Sequence, residues 1–252
     1  MNPTGPSPAV RRWMPLVLLA VIAGGCDSRQ QVDTQAQALR KVVDGRGVGP
    51  AMGDDPVPSA REAQALWIAR RAIARMKFLT DSVSAKYGID INQPPAAFNE
   101  QEYYATAARH PEVRRYFASY AQYAADVRRN AFPWLRERMR EDAARTRLGG
   151  DFERGLARGF DRKVPDFQRS METAEASAKE IVALHDYLVS IGPRVHWSGG
   201  RVLFDRNDEL DRASEMDRHA RAGFQEAAEF AQRSEQQGRL DLQQLTTEIT
   251  SH

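Results

Sequence analysis

Apolar residues recur at intervals of three and four along four long stretches of the chain, which is the spacing of one face of an α-helix. Polar and charged residues fill the positions between them. The spacing predicts four long amphipathic helices, over residues 59–87, 99–148, 165–191 and 207–236. Because prolines and glycines interrupt the pattern, it favours a compact all-α helical bundle over an extended coiled coil.

Residue types at the helix ends predict their boundaries. Ser59 and Glu62 form a capping-box pattern at the first start, and Gly88 follows the predicted end of that helix. The second helix has a weaker cap at Asn99 and Glu102. Within the second predicted helix, Pro111 predicts a break near His110 and Pro133 predicts a kink, because proline lacks the N–H that an α-helix needs.

Proline and glycine also mark the predicted helix boundaries in the later half of the chain. A short amphipathic helix is predicted over 151–162, and Pro165 is expected to open the third long helix. Gly192-Pro193 ends that helix, and the fourth begins near Asn207. Residues after Gly238 are predicted as a separate short helix.

One β-hairpin pattern lies at 194–204, where apolar residues alternate on both sides of Gly199-Gly200. Two glycines suit a two-residue hairpin turn. The turn places four side chains on one face: Val195, Trp197, Val202 and Phe204. Because an isolated two-stranded hairpin is marginally stable in water, we expect this face to be buried against the helices.

The N-terminus has the layout of a secretory signal. Arg11 and Arg12 precede an apolar run of 11 residues, Trp13 to Ala23, which ends in Gly24-Gly25 and Cys26. A bilayer-spanning helix needs about 20 apolar residues, so a transmembrane segment is the weaker interpretation.

The end of that run, Val21-Ile22-Ala23-Gly24-Gly25-Cys26, resembles the lipobox of bacterial lipoproteins, although Ala23 stands where that family prefers leucine. The resemblance implies that residues 1–25 are a signal peptide and that Cys26 is acylated and becomes the mature N-terminus. Cys26 is also the only cysteine of the chain. The alternative is an unmodified buried cysteine.

Residues 26–58 are predicted to be a lipid-anchored tether, followed by the bundle at 59–252 with its hairpin at 194–204. Within the tether, 28–44 has the pattern of a short helix. Residues 45–58 contain four glycines and three prolines, which neither a helix nor a strand propagates through. Such a segment would let the body stand off the bilayer.

Removing the signal also removes two arginines and no acid, which leaves 34 basic and 34 acidic residues. A neutral mature chain argues against nucleic acid as a partner. An acylated Cys26 leaves no thiol, so an apolar core must stabilise the fold without disulfides. Charge is uneven along the chain: residues 128–169 carry an excess of basic groups, and 170–252 an excess of acidic groups. The two segments either pair with one another or, alternatively, the arginine-rich one faces anionic phospholipid.

A second resemblance concerns the body. Leu184 to Leu188, followed by Gly192, Val195, the Gly199-Gly200 turn, Phe204 and an acidic helix start, resembles the YiaF-like family of Gram-negative lipoproteins. That family implies a lipobox, a mostly helical body and a late hairpin. It implies no activity.

No catalytic or phosphate-binding motif is recognisable in the sequence. Glu215 and His219, with Glu226 and Glu229 further along, would form a metal site only if His185 approached from another helix. Solvated helix faces explain them better, so we expect no metal and no cofactor. At the hairpin tip, His196, Ser198 and Arg201 are candidates for contact with a partner, or form a polar turn.

Aromatic residues are dense between 103 and 134. Core packing accounts for Tyr116, Phe117 and Tyr120. Tyr104 and Tyr123 are the candidates for a surface patch that would indicate a binding groove. Core packing is the preferred explanation for the whole series.

These features predict a lipid-anchored protein of the cell envelope that faces the periplasm and acts as an interaction or scaffold module without catalysis. An enzyme or small-molecule binder with a site inside the bundle is the alternative. Its partners are the membrane, through the lipid, and an envelope protein. Asp27 would be the second residue of the mature chain. In enteric lipoproteins, which the N-terminus resembles, aspartate there retains the protein in the inner membrane, so that membrane is favoured over the outer one.

Overall fold

A computed structural model describes residues 27–43 and 55–250 of the chain. The signal peptide and Cys26 lie outside the described residues. Helices and strands follow the order α1 (Asp27–Val43), α2 (Arg61–Tyr87), α3 (Tyr103–Thr106), α4 (Pro111–Ala144), α5 (Gly150–Ile191), β1 (Val195–Ser198), β2 (Arg201–Phe204) and α6 (Asn207–Thr250). The fold is therefore all-α with one small antiparallel hairpin, as the sequence predicts.

The predicted apolar stripes of α4 and α5 are buried along their whole length. The apolar spacing of the fourth helix predicts a buried stripe that begins at Leu210. The alanines of this stripe are buried in α6, but Leu210 is 43% exposed, so the prediction is wrong at that residue. Four long helices, α2, α4, α5 and α6, supply most of the core, and their apolar faces drive the association of the bundle.

The start of α2 is capped differently from the prediction. The backbone N–H groups of Ser59 and Ala60 both donate to Oε1 of Gln31, at 3.1 Å. Gln31 Nε2 donates in turn to the Ser59 hydroxyl at 2.9 Å. The Ser59 N–H thus donates to a side chain of α1, whereas the capping-box pattern predicts that it donates to Glu62. At the other end, Gly88 has φ +64, a conformation that favours glycine and ends the helix as predicted.

The predicted break before α4 is confirmed: His110 has φ −121 and ψ 55, and Pro111 is the first residue of the helix. The predicted cap at Asn99 and Glu102 is wrong. Glu102 has helical dihedral angles and makes no side-chain capping bond, and Asn99 ends a short 3-10 helix.

Helix α5 is longer than predicted, because it passes through Pro165 without ending. A proline inside a helix costs about 3 kcal/mol when its surroundings do not compensate. Here Pro165 is exposed, so a carbonyl released one turn earlier can bond to water. Two residues later, Phe167 is buried against Phe132, with ring centroids 4.6 Å apart. The packing of Phe167 on α4 therefore outweighs the free-energy cost of Pro165 within the helix.

Helix α6 likewise continues through Gly238 to Thr250, so the separate terminal helix is not formed. Glycine inside a helix costs only about 1 kcal/mol relative to alanine. That cost alone does not end a helix of 44 residues.

The chain divides into two compact units. The hairpin unit comprises Val83–Arg128 and Gln168–Gln232. The arginine unit comprises, of the described residues, 27–43, 55–82, Arg129–Phe167 and 233–250. Helices α2, α4, α5 and α6 each contribute one part to either unit.

In the hairpin unit, α5 and α6 approach closely through small residues. A Cβ added to Gly223 would lie 2.0 Å from Oγ of Ser177 and 3.3 Å from Cγ2 of Thr173. Ser177 is itself buried. The absence of a side chain at Gly223 therefore sets the separation of these two helices.

In the arginine unit, the first half of α2 is buried on every side. Nearly all residues from Glu62 to Met76 are buried, with Arg70 the partly exposed exception. Helix α1 belongs to the same unit and buries four apolar side chains: Val32, Ala36, Leu39 and Val42. This part of the segment predicted as a tether is thus a packed helix.

Candidate functional site

The hairpin has the predicted register, in which Val195 pairs with Phe204 and Trp197 with Val202. Strand β1 contacts α3, and the Asp205 N–H donates to the Arg194 carbonyl at 2.9 Å. Val195 is 4% exposed, so the base of the hairpin is fixed in the hairpin unit.

The prediction that the whole apolar face is buried is wrong. Trp197 is 37% exposed, and Val202 and Phe204 are half-buried. The hairpin is docked only at its base, because a four-residue strand reaches beyond the short α3 that it contacts. Trp197 therefore keeps about a third of its surface exposed to a partner.

His196, Ser198 and Arg201 are all exposed, on the face of the hairpin opposite Trp197. His196 Nδ1 lies 3.8 Å from a carboxylate oxygen of Asp205. Leu203 pairs with His196 and is 42% exposed. The tip thus presents apolar and polar groups side by side, which is the usual composition of a protein-binding surface.

Two further exposed apolar residues lie in the helices that precede and follow the hairpin in the chain. Val189 near the end of α5 and Leu210 near the start of α6 are 41% and 43% exposed. An ion pair joins the turn after α5 to the start of α6, with Arg194 Nη1 2.7 Å from Glu209 Oε1. We call Val189, Trp197, Leu203 and Leu210, together with the three polar tip residues, the hairpin surface, in which Trp197 and Leu203 lie on opposite faces of the hairpin.

A buried polar pair lies beneath α3. The hydroxyl of Tyr103 and Nδ1 of His185 are 2.9 Å apart, and both residues are almost fully buried. Burial lowers the pKa of His185 because the charged imidazolium would lose its hydration. The neutral ring and the Tyr103 hydroxyl therefore share one hydrogen bond, in which the tautomer of His185 sets the donor. Burial likewise raises the pKa of the Tyr103 hydroxyl, so both groups stay neutral near pH 7.

The aromatic residues once considered for a surface patch belong to the interior. Tyr123 is 2% exposed. Tyr104 is half-buried, and burial raises the pKa of its hydroxyl, which also interacts with Asp217 and Arg221 on α6. Arg221 in turn lies over the ring of Phe98, 5.2 Å from its centroid. These contacts leave no aromatic groove at Tyr104 and Tyr123.

The residues considered for a metal site are not brought together. His185 is buried and hydrogen-bonded to Tyr103, whereas Glu215 and His219 are exposed on α6. Across residues 27–43 and 55–250, no group of three or more histidine, cysteine or acidic side chains is placed to hold a metal ion.

The arginine unit contains a buried ionic cluster that the sequence analysis missed. Asp142 accepts from Nε of Arg71 at 3.1 Å and from both terminal nitrogens of Arg75. Arg75 also donates to the Arg138 carbonyl at 2.9 Å. Arg71 lies over the ring of Trp67, 4.7 Å from its centroid. Arg71, Arg75 and Asp142 are between 1% and 6% exposed, so the cluster is structural.

A signal for this cluster was present in the sequence. Arg71 and Arg75 are four residues apart, on one face of a helix whose other faces are apolar. A helix with no continuous polar face is normally enclosed. Charges within such a helix then require a buried partner, although Asp142 could not have been identified as that partner from spacing alone.

No protein-family model matches the chain, and neither a curated protein nor a solved structure is significantly similar to it. None of the helices in the described part of the chain combines the length and the hydropathy needed to cross a bilayer.

Proposed function

We propose that the protein is a lipoprotein of the cell envelope, anchored through acylated Cys26 on the periplasmic side of the membrane, and that it acts as an interaction or scaffold module. The lipobox-like end of the signal and the single cysteine support the anchor. The resemblance to YiaF-like lipoproteins supports the same placement.

The observation that carries the interaction role is the hairpin surface. Val195 fixes the base of the hairpin, while Trp197 and Leu203 remain exposed. Exposed tryptophan on a rigid support is a frequent centre of protein–protein binding energy. On the opposite face of the hairpin, His196 and Arg201 lie beside Leu203 and supply polar groups around it. We propose that the partner is another envelope protein with an apolar recess bordered by acidic groups.

The anchor is tested on the protein purified from envelopes. Mass spectrometry of the mature N-terminus should find Cys26 carrying acyl chains. Density-gradient separation should place the protein with the inner membrane, and Asp27→Ser should move it toward the outer membrane. An N-terminus that begins at Met1, or an unmodified Cys26, would contradict the anchor.

The interaction role is tested by a photo-crosslinking amino acid at Leu203 in living cells. A matched probe at Glu172, exposed on α5 in the same unit, is the control. We expect one discrete crosslinked product from position 203 that disappears on Trp197→Ala. Crosslinking that is equal at both positions, or unaffected by Trp197→Ala, would remove the hairpin surface as the contact.

A further inference from the structure

Three helix ends meet at one place in the arginine unit. Gln31 in the second turn of α1 bonds to Ser59 and Ala60 just before α2. Gln64 near the start of α2 accepts from the Arg147 N–H at 2.9 Å. The start of α1, the start of α2 and the segment that follows α4 therefore share one end of this unit.

This shared end carries three exposed arginines, Arg61, Arg145 and Arg147. Arg61 is held by a bond of 3.4 Å from Nη2 to the Leu148 carbonyl. Arg145 lies over the Trp67 ring, 5.4 Å from its centroid. In the part of the chain that the structure describes, none of the three forms an ion pair with a carboxylate. We call them the arginine face.

Two acidic residues, Glu62 and Glu153, lie close in sequence to this face, and neither forms an ion pair with its three arginines. Glu62, next to Arg61, is 7% exposed and faces inward. Glu153 is exposed in the first turn of α5, where its N–H donates to the Gly149 carbonyl. Other arginines in residues 128–169 do pair: Arg128 with Glu175, and Arg136 with Asp161. The first of these pairs joins the basic segment to residues 170–252, whereas the second lies within the basic segment itself, and neither involves the arginine face.

The lipid-bearing residue is covalently close to the same end. Cys26 precedes Asp27, the first residue of α1, and adjacent Cα atoms are about 3.8 Å apart. From Asp27 to Gln31 a helix rises about 6 Å. The attachment point of the acyl chains is therefore within about 10 Å, along the chain, of the residue that fixes α1 to α2. The glycine- and proline-rich residues 45–58 follow α1, so they do not separate the lipid from the packed helix.

We propose that Arg61, Arg145 and Arg147 bind the phosphate groups of anionic phospholipids beside acylated Cys26, so that the arginine unit lies with this end on the bilayer. The proposal rests on the proposed lipid anchor. Guanidinium groups pair with phosphate through two parallel hydrogen bonds, and basic residues near an anionic leaflet are attracted to its surface. The acyl chains keep this end of the unit close to that surface, where salt screens the attraction only in part.

The test uses the full mature lipoprotein reconstituted into vesicles of phosphatidylcholine alone or of phosphatidylcholine mixed with phosphatidylglycerol. Because the native cysteine is acylated, an introduced cysteine can be labelled uniquely. Ala144→Cys, exposed at the end of α4, places a fluorophore at the arginine face. Ser214→Cys, exposed on α6 in the hairpin unit, is the control position. Lipids with spin-labelled headgroups quench a fluorophore that lies near the membrane surface.

We expect quenching at position 144 to be about twofold stronger with phosphatidylglycerol than without it, and to fall on addition of salt. The variant Arg61→Gln, Arg145→Gln, Arg147→Gln should abolish this difference. Removing three exposed arginines of the hairpin unit, by Arg109→Gln, Arg115→Gln and Arg218→Gln, should leave it unchanged.

Two failures are distinguishable. If the protein lacks acyl chains or does not float with vesicles, the proposed anchor is wrong. If it is acylated and floats, but quenching at position 144 is equal in both vesicles or survives the arginine-face variant, the arginine face does not bind phospholipid and the anchor stands. A circular dichroism spectrum and melting temperature like those of the wild type exclude misfolding of the variant.

Discussion

The arginine unit and the hairpin unit bury different kinds of polar group. In the arginine unit, two arginines and Asp142 form an ionic cluster around the enclosed half of α2. In the hairpin unit, the buried pair of Tyr103 and His185 is neutral. Both arrangements satisfy hydrogen-bonding groups that water would otherwise have satisfied.

The difference lies in what happens when one partner is lost. A buried charge without its partner keeps the full cost of desolvation, whereas a neutral group loses only a hydrogen bond. The arginine unit should therefore be sensitive to the loss of a single carboxylate. The hairpin unit should respond more to changes in helix spacing and in pH.

The largest effect is expected at the ionic cluster. Asp142→Ala leaves Arg71 and Arg75 buried without a carboxylate, and should lower the free energy of unfolding by about 3–5 kcal/mol. Urea denaturation followed by circular dichroism measures this change. Asp161→Ala is the matched control, because its pair with Arg136 is exposed and spans 3.5 Å; it should cost no more than about 1 kcal/mol. Equal losses in the two variants would mean that the buried cluster contributes no more than a surface pair.

A smaller effect is expected where α5 meets α6 in the hairpin unit. Gly223→Ala brings a Cβ to 2.0 Å from Oγ of Ser177. Overpacking costs about 1–3 kcal/mol, and the greater helix propensity of alanine returns only about 1 kcal/mol of it. We expect a net loss of up to about 2 kcal/mol in the free energy of unfolding.

A double-mutant cycle identifies the cause of that loss. In a Ser177→Ala background the hydroxyl is absent, so Gly223→Ala should become neutral or stabilising. Gly155→Ala serves as a control for helix propensity alone, since nothing lies within 4 Å of a Cβ added there. A loss that is the same with and without the Ser177 hydroxyl would show that helix spacing is not set at Gly223.

The smallest effect is a pH dependence of the hairpin unit. Burial holds the pKa of His185 below its value in the unfolded chain, about 6.5. Its contribution to stability is complete above that value. It is lost progressively as the pH falls from there to the lower pKa of the folded state, because in that range the unfolded chain binds a proton that the folded chain does not. The charged groups around it oppose one another: Asp186 and Glu112 raise the pKa, and Arg114 and His110 lower it.

Measuring the free energy of unfolding near pH 7.5 and pH 5.5 tests the direction of this pH dependence. These two values lie roughly one pH unit on either side of the pKa of His185 in the unfolded chain. The wild type should be less stable at the lower pH. His185→Gln should reduce the difference, whereas His219→Gln, at an exposed position on α6, should not. A protein more stable at the lower pH would contradict the assignment.

Much of the fold could be predicted because the helices carry long apolar stripes and clear end signals. The register of the hairpin followed from Gly199-Gly200, and the end of α2 from Gly88. Local signals failed where packing opposed them, as at Pro165 in α5 and Gly238 in α6. The exposure of Trp197 was missed because an alternating pattern indicates which side chains share a face but not how far the supporting surface extends.

The sequence by itself determined the all-α class, the positions of the four long helices and the hairpin, since these depend on the periodicity and turn chemistry of neighbouring residues. Only the tertiary structure decided that Gln31 caps α2 and that Asp142 joins Arg71 and Arg75. It also brought Tyr103 to His185, and Gly223 to Ser177. Each of these contacts joins residues far apart in the chain, and sequence spacing carries no information about which distant side chain fills a given position in a packed core.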